Sequence, residues 1–168
     1  SKSLLNGSAV IVCGFNKTRI GLNAKIRDHN EFTEHTPMIG DRVICLKNNK
    51  RSNVPLYNGA HGTIRHITKN SHLDFARSVI EMDGVNEDMF RGKMLYGAFA
   101  KEKFNSYETG PGKEVFDYGY AITAHKSQGS EFEKVMVIEE GKYVWRENWN
   151  KWLYTAVTRS SDELLIVG

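Results

Sequence analysis

The stretch YAITAHKSQGSEF, Tyr120 to Phe132, joins an apolar run to a dense cluster of polar side chains. The apolar residues end at Thr123, and histidine, lysine, serine, glutamine and glutamate follow within eight positions. In open parallel sheets, ligands bind beyond the carboxyl ends of the strands. If the apolar run is such a strand, the polar cluster lies where a ligand would bind.

The polar cluster can be interpreted in two ways. Thr123 is placed to cap a short helix through AHKSQ, with Gly129 ending it. The exposed end of such a turn offers backbone N–H groups, a hydroxyl, an imidazole and an ammonium group, which together suit phosphate oxygens. The alternative, which spacing alone leaves open, is a capped turn whose polar side chains are only solvated.

The segments on either side of this cluster predict an α/β fold with a parallel sheet. SAVIVCG (8–14) is a continuous apolar run, typical of a strand covered on both faces. RIGLNAKIRDH predicts a helix in which Ile20, Leu22–Asn23 and Ile26 fall at roughly helical spacing. FDYGYAIT (116–123) predicts one strand. Two further buried strands are predicted for KVMVIE (134–139) and ELLIVG (163–168).

The clearest helical pattern is NWNKWLYTAVTRS (148–160), and Asn148 or Asn150 is placed to cap its start. Its apolar residues form a stripe with a period near 3.6, consisting of Trp149, Trp152, Leu153, Ala156 and Val157. Thr155 and Arg159 are four apart and therefore share one face. Arg159 either satisfies the terminal carbonyls of the helix or reaches across an interface to a phosphate; its chemistry suits both roles.

The middle of the chain follows a different pattern and predicts a small antiparallel barrel at residues 37–116, inserted between α/β segments at 1–36 and 117–168. Its short strands are predicted in GDRVICLKN (40–48), NGAHGTIRHITKN (58–70) and SVIEMDG (78–84), where glycine turns recur. Residues 91–113 fit either a helix or a pair of strands. TGPG (109–112) predicts a loop.

Composition limits the classes of function only loosely. The chain has 168 residues and a net charge of +3, which permits a polyanionic partner without requiring one. Cys13 and Cys45 lie within apolar runs, so buried thiols are expected, and no residue spacing predicts a metal site. No apolar run approaches twenty residues, so no membrane partner is predicted. The lack of disulfide candidates favours a reducing, cytoplasmic location.

Four segments together resemble superfamily 1 helicases. YAITAHKSQGSEFEKVMVI is similar to motif V, and WLYTAVTRSSDELLIVG is similar to motif VI. VIVCGFNKTRIGLNAKIR resembles the motif IV region that opens the second motor domain. GDRVICLKNN and YNGAHGTI resemble the start of the SH3-like barrel inserted there in the RecD- and Dda-like branch. The resemblance implies a RecA-like second motor domain, which is the trailing part of a longer protein.

The resemblance also implies roles for individual residues. The matches of Thr123 and His125 contact the single DNA strand, as does the loop that matches Asn16 and Lys17, and Lys126 lies in the same DNA-binding segment. The residues expected to approach the nucleotide are Gln128, Gly129, Glu131 and Arg159. Arg159 would contact the γ-phosphate as the catalytic arginine finger. The role of Gln128 within this segment stays open.

The catalytic centre implied by the resemblance is incomplete in this chain. There is no G-x-x-x-x-G-K-[ST] segment and no acidic strand end of the Walker B type, and phosphoryl transfer needs both. ATP and Mg²⁺ would therefore be held mainly by an N-terminal motor domain, and this chain alone would not hydrolyse ATP. The resemblance implies 5′-to-3′ movement in a bacterial or phage-infected cell, and leaves open nuclease subunits as partners and RNA as a substrate.

Two other functions compete with this expectation. The chain would instead be a non-catalytic module that binds single-stranded nucleic acid through the barrel, where an aromatic residue such as Tyr57 would stack on bases. For Tyr57 itself, a place in the barrel core is the favoured prediction. The other alternative is an unrelated α/β interaction domain whose motifs match by accident.

Overall fold

The computed structural model describes residues 2–70, 72–85, 89–102, 112–142 and 146–168. They form two compact units, Ser1–Asn30 with Tyr120–Gly168, and Glu31–Gly119. The first is called the parallel unit here and the second the antiparallel unit, after their sheets. Part of the predicted TGPG loop, residues 109–111, lies outside the described residues.

The parallel unit is a four-stranded sheet whose strands all run in the same direction, which confirms the predicted parallel α/β fold. Its strands, in spatial order, are β10 (Ser160–Val167), β9 (Phe132–Ile138), β1 (Ala9–Cys13) and β8 (Ala121–Thr123). Its helices are α1 (Lys2–Leu5), α2 (Asn16–His29) and α3 (Trp149–Val157). Apolar residues of β1 and β8 are almost completely buried, as continuous apolar runs predict.

Helix α2 buries a polar face rather than the predicted apolar one. Ile20, Leu22 and Ile26 are only half-buried. The fully buried positions are Arg19, Asn23 and Arg27, which are spaced four residues apart. The Asn23 side chain accepts a hydrogen bond from the backbone N–H of Ala121 and donates one to its carbonyl, both at 2.9 Å. Asn23 therefore satisfies both main-chain groups of an edge-strand residue, and no apolar side chain can do that.

The antiparallel unit contains a six-stranded sheet. In chain order its strands are β2 (Arg42–Cys45), β3 (His61–Thr68), β4 (Phe75–Met82), β5 (Met89–Leu95), β6 (Lys113–Glu114) and β7 (Phe116–Tyr118). They lie in the spatial order β6-β5-β4-β3-β2-β7, and all neighbours are antiparallel except β5 and β6. The open choice for residues 91–113 is thereby settled in favour of strand for 91–95.

The stretch FDYGYAIT was expected to be one strand, and that prediction is wrong. It forms β7, which pairs with β2, and β8, which pairs with β1 in the other unit's sheet. The break falls at Gly119, where an added Cβ would lie 2.9 Å from the Val43 carbonyl carbon. Only glycine fits so close to a neighbouring main chain, and β7 ends at the residue before it.

Two burial predictions are also wrong. ELLIVG was expected to be buried, yet every residue of β10 after Ser160 is exposed, because β10 is an edge strand and no described element covers it. Tyr57, expected in a core, is 53% exposed. It follows Leu56 at a bridge to Asn49, and Leu56 takes the buried position instead.

Both cysteines are buried thiols, as predicted. Burial, together with the nearby Glu140 carboxylate, raises the pKa of the Cys13 thiol to about 12. Burial likewise raises the pKa of Cys45 to about 11. Thiolate is therefore scarce at neutral pH, and neither side chain is a reactive nucleophile.

His61 in β3 should make stability depend on pH. Burial, reinforced by the charge of Arg42, lowers its pKa from 6.5 to about 4. An unfolded histidine takes up a proton near pH 6.5, so the folded state keeps its full advantage above that pH and loses it as the pH falls to 4. We expect the free energy of unfolding to drop by about 3 kcal/mol over this interval.

Urea titrations at a series of pH values would measure this dependence. Replacing His61 by glutamine should flatten the profile between pH 6.5 and 4, whatever its effect at pH 8. His66→Gln, the same substitution at an exposed position of the same strand, is the matched control. A wild-type profile that is flat in this window would contradict the prediction.

Candidate functional site

The carboxyl ends of β1 and β8 lie side by side. Cys13 and Thr123 are paired in register, and the backbone N–H of Ala124 donates to the Cys13 carbonyl at 3.1 Å. The chain leaves the sheet at both points, through Gly14 after β1 and through Ala124 after β8. This edge is where open parallel sheets bind ligands.

The segment after β8 is a compact turn rather than the predicted short helix. The backbone N–H groups of Lys126 and Ser127 both donate to the Thr123 carbonyl, at 2.9 and 3.1 Å. Ser127 is completely buried and its hydroxyl donates to the Ala124 carbonyl at 2.7 Å. Gly129 has a φ of 83°, a conformation that favours glycine and ends the turn. On either side of buried Ser127, the side chains of His125 and Gln128 are exposed, whereas Lys126 is half-buried.

A cleft of about 490 Å³ opens at this edge of the parallel unit. It brings together three of the predicted site residues, Asn16, His125 and Gln128. The complete lining is Gly14, Phe15, Asn16, Ala124, His125, Gln128, Asn148, Lys151, Trp152 and Thr155. Gln128, whose role the sequence left open, thus shares a cleft with residues expected to contact the DNA strand.

Helix α3 forms the wall of the cleft that the sequence did not predict. Asn148, Lys151 and Thr155 recur at helical spacing on the side away from buried Ala156. Asn148 is the N-cap residue, as one of the two predictions had it, but its side chain makes no capping hydrogen bond. The sequence shows this polar stripe beside the apolar stripe of the same helix. It does not show that the β1–α2 loop and the turn after β8 line the same cleft.

The side chains that line the cleft suit a ligand that has negative charges along its length and flat, apolar rings. Lys151 and His125 supply cationic or hydrogen-bonding groups, and no carboxylate occurs among the described residues that line the cleft. Phe15 and Trp152 offer aromatic surface, on which bases stack in single-strand binding sites. Side-chain amides and the Thr155 hydroxyl add further hydrogen-bonding capacity for phosphate and sugar oxygens.

The remaining residues expected near the nucleotide form a second group. The Arg159 guanidinium donates from Nη1 to the Ser130 carbonyl at 3.3 Å, which places it beside the exposed Gly129 and Glu131. Arg159 Nε also donates to the Thr155 carbonyl at 3.0 Å, so the side chain is engaged with helix-terminal carbonyls here. It is half-buried and not sealed inside the unit. Both roles left open by the sequence remain compatible with this position.

Three other predicted residues do not line the cleft. Thr123 is half-buried, and its carbonyl anchors the turn. Lys126 is half-buried within the turn, and Lys17 is exposed in the first turn of α2. These residues are next in sequence to the cleft-lining residues Ala124, His125 and Asn16, without forming part of its surface.

The part of the chain that the structure describes holds no cluster of three or more histidine, cysteine, aspartate or glutamate side chains able to bind a metal ion. Among its helices, none combines the length and the apolar character needed to cross a membrane.

Comparison with known proteins identifies the C-terminal segment. Residues 118–167 match the family model of the UvrD-like helicase C-terminal domain. An uncharacterized protein of Methanocaldococcus jannaschii is 30% identical over 132 residues, which is 77% of this chain and 10% of that protein. The matched family segment contains the turn after β8, helix α3 and Arg159.

Solved structures share the fold over nearly the whole chain. Pif1 helicase from Bacteroides in complex with ADP-AlF3 and ssDNA superposes with a TM-score of 0.59 and 17% identity over 96% of this chain. Pif1 helicase from Candida albicans gives a TM-score of 0.54 and 12% identity, again over 96%. This chain spans only 41% and 46% of those two proteins.

Proposed function

We propose that this chain, whose residues 118–167 match the UvrD-like helicase C-terminal domain, is the second motor domain of an ATP-dependent DNA helicase of superfamily 1. Its cleft holds a single DNA strand, and movement along that strand runs 5′ to 3′. The observation that carries the proposal is the convergence of Asn16, His125 and Gln128 on one cleft at the carboxyl edge of the sheet. The Bacteroides relative was solved with ssDNA bound, which supports this choice of ligand.

ATP hydrolysis needs a further domain. The P-loop cradle and its magnesium site would come from an N-terminal RecA-like domain of the longer protein, since this sequence contains neither motif. Gly129, Glu131 and Arg159 would approach ATP from this chain's side. The bound metal ion would neutralise developing charge on the phosphates. The relative solved with ADP-AlF3 supports nucleotide as the second ligand.

The two groups of residues suggest how the ligands are coupled. Residues 123–131 carry both the cleft-lining His125 and Gln128 and the segment that touches Arg159. When Arg159 and Glu131 close onto ATP, this segment would shift and carry the strand-binding side chains with it. Repeated closure and opening would move the chain along DNA in inchworm fashion. We propose further that the antiparallel unit is the inserted SH3-like barrel.

Replacing His125 by alanine should test the strand-binding role. His125 is exposed and lines the cleft, so its loss should raise the Kd for single-stranded DNA about tenfold, within the usual worth of a stacking or phosphate contact. Fluorescence anisotropy with a labelled oligonucleotide, at one fixed salt concentration, measures this change. His29→Ala, at an exposed position on α2, is the matched control. Nucleotide affinity that falls more than DNA affinity would contradict the assignment.

A second candidate function is a nucleic-acid-binding module that works through the antiparallel unit. A groove of about 360 Å³ there is lined by His66, Arg77, Arg91 and Lys93, and no carboxylate occurs among its described lining residues. Such a surface would bind phosphates in a salt-dependent manner. If Arg77→Glu with Arg91→Glu abolished binding while His125→Ala left it intact, this function would be favoured.

A further inference from the structure

Glu140, two residues beyond the end of β9, makes an unusual set of contacts. Its Oε1 accepts hydrogen bonds from the backbone N–H groups of Gly14 and Phe15 at 2.7 and 2.8 Å. Its Oε2 accepts from the Thr18 hydroxyl at 2.8 Å. All three donors belong to the β1–α2 loop and the first turn of α2. One carboxylate thus accepts hydrogen bonds from three residues that lie more than a hundred positions earlier in the sequence.

No side chain at the N-cap of α2 accepts a hydrogen bond from the start of the helix. The N-cap of α2 is Phe15, whose side chain cannot accept a hydrogen bond, and no side-chain cap is present. The first N–H groups of a helix have no partner within it and carry a partial positive charge. Glu140 supplies both an acceptor, for the N–H of the N-cap residue Phe15, and a negative charge, from the segment that follows β9.

The place that Glu140 occupies is one where anions bind in many α/β proteins. A loop that leads from a parallel strand into a helix directs its N–H groups at phosphate or carboxylate ligands. Here the ligand is a side chain of the chain itself, held by two main-chain donors and one hydroxyl. A soluble phosphate could enter only by displacing it.

The same loop forms one wall of the cleft. Gly14, Phe15 and Asn16 line the cleft, whereas Glu140 does not. Asn16 is held in addition by Arg19, whose Nε donates to its Oδ1 at 3.2 Å. The position of this wall therefore depends on the carboxylate behind it.

We propose that Glu140 is a positioning residue that acts as a built-in anion. It closes the anion site at the start of α2 and fixes the β1–α2 loop in the conformation that the strand-binding cleft requires. Glu140 does not line the cleft, so it would act through the loop and not by contact with DNA. The part of this proposal that concerns DNA rests on the proposed function, whereas the part that concerns the anion site does not.

Chemical rescue in the 168-residue chain tests the anion site. Glu140→Ala should lower Tm by roughly 5 °C, through loss of three hydrogen bonds. It should also create a cavity in which acetate binds, so that added sodium acetate restores about half of the loss and sodium chloride of equal ionic strength does not. Glu139→Ala is the matched control, because the Glu139 backbone N–H still bonds to Val167. Equal responses to both salts would overturn the anion role.

DNA binding tests the positioning role. The Kd for a single-stranded oligonucleotide should rise about fivefold in Glu140→Ala and return toward the wild-type value in acetate, with wild-type protein in acetate as reference. An unchanged Kd in Glu140→Ala would overturn this role. If the wild-type chain itself bound no DNA, the proposed function would fail, while acetate rescue would still decide the anion site.

A conservative variant covers the case in which Glu140→Ala does not fold. Glu140→Gln keeps one oxygen for the two N–H groups and loses the charge and the second acceptor. A raised Kd in folded Glu140→Gln that acetate does not restore, since the amide fills the site, supports the proposal. A wild-type Kd and a wild-type Tm in this variant would overturn it.

Discussion

In a longer protein that contains this chain, replacing Arg159 by alanine should reduce DNA-stimulated ATP hydrolysis about a thousandfold. An arginine that reaches the γ-phosphate stabilises charge in the transition state, and its removal typically costs 10³ or more in rate. Steady-state phosphate release with saturating single-stranded DNA would measure the effect. The Kd for DNA should change less than about threefold, because Arg159 does not line the cleft.

The contacts of Arg159 within the chain make a stability control necessary. Its Nε and Nη1 donate to the carbonyls of Thr155 and Ser130, and its Nη2 donates to the Thr158 hydroxyl, so alanine also removes three hydrogen bonds. Arg159→Lys keeps the charge but loses the planar fork that binds phosphate. We expect near-wild-type Tm in Arg159→Lys together with a large loss of turnover. If both variants hydrolysed ATP at the wild-type rate, Arg159 would be a helix-terminal cation and no arginine finger.

Replacing Asn23 by alanine should lower the free energy of unfolding of this chain by about 4 kcal/mol. The substitution leaves a buried N–H and a buried carbonyl of Ala121 without their partners, and each such group costs about 1–3 kcal/mol. It also leaves a cavity under α2. Urea denaturation monitored by tryptophan fluorescence would measure the change.

Two further variants make the Asn23 result specific. Lys25→Ala, on the exposed face of the same helix, should change stability by less than about 0.5 kcal/mol. Asn23→Asp should be as damaging as Asn23→Ala, because a carboxylate accepts from the Ala121 N–H but repels its carbonyl. A loss below about 1 kcal/mol in Asn23→Ala would contradict the pairing described for β8.

The sequence predicts elements well where burial is decided by the strand itself. Continuous apolar runs identify β1 and β9, and glycine turns indicate the small antiparallel strands, because these patterns follow from local geometry. These sequence patterns fail where the burial of a residue depends on a neighbouring element of the fold. Helix α2 buries Asn23 because a strand edge needs an amide, and no helical periodicity signals that need.

The other misjudged elements have the same cause. FDYGYAIT is apolar enough for one strand, yet Gly119 must pass close to Val43, a residue 76 positions earlier. The second half of β10, residues 164–167, is as apolar as a buried strand, but its place at the sheet edge leaves it exposed. The position of a strand break and the exposure of a strand depend on which segments pack together. A single sequence does not show that packing.

For the candidate site, the sequence indicates which residues are polar and that they follow a strand. It does not indicate which of them line the same cleft. The polar turn after β8 lies at the carboxyl edge of the sheet, which is where ligands bind in this class of fold. Only three of the predicted residues share the cleft. The sequence does not single out Glu140. An acidic residue after a strand indicates no particular role until its hydrogen-bond partners at the start of α2 are known.

The protonated, enclosed state of Cys13 and Cys45 has a practical benefit for spectroscopy. Maleimide dyes react with thiolates, so both native sulfurs should stay unlabelled at pH 7 while the fold is intact. A single cysteine placed at an exposed site, such as Lys25→Cys, would then accept one fluorophore without removal of either native residue. Paired with a second dye on an oligonucleotide, it would report binding of single molecules of this chain to a strand.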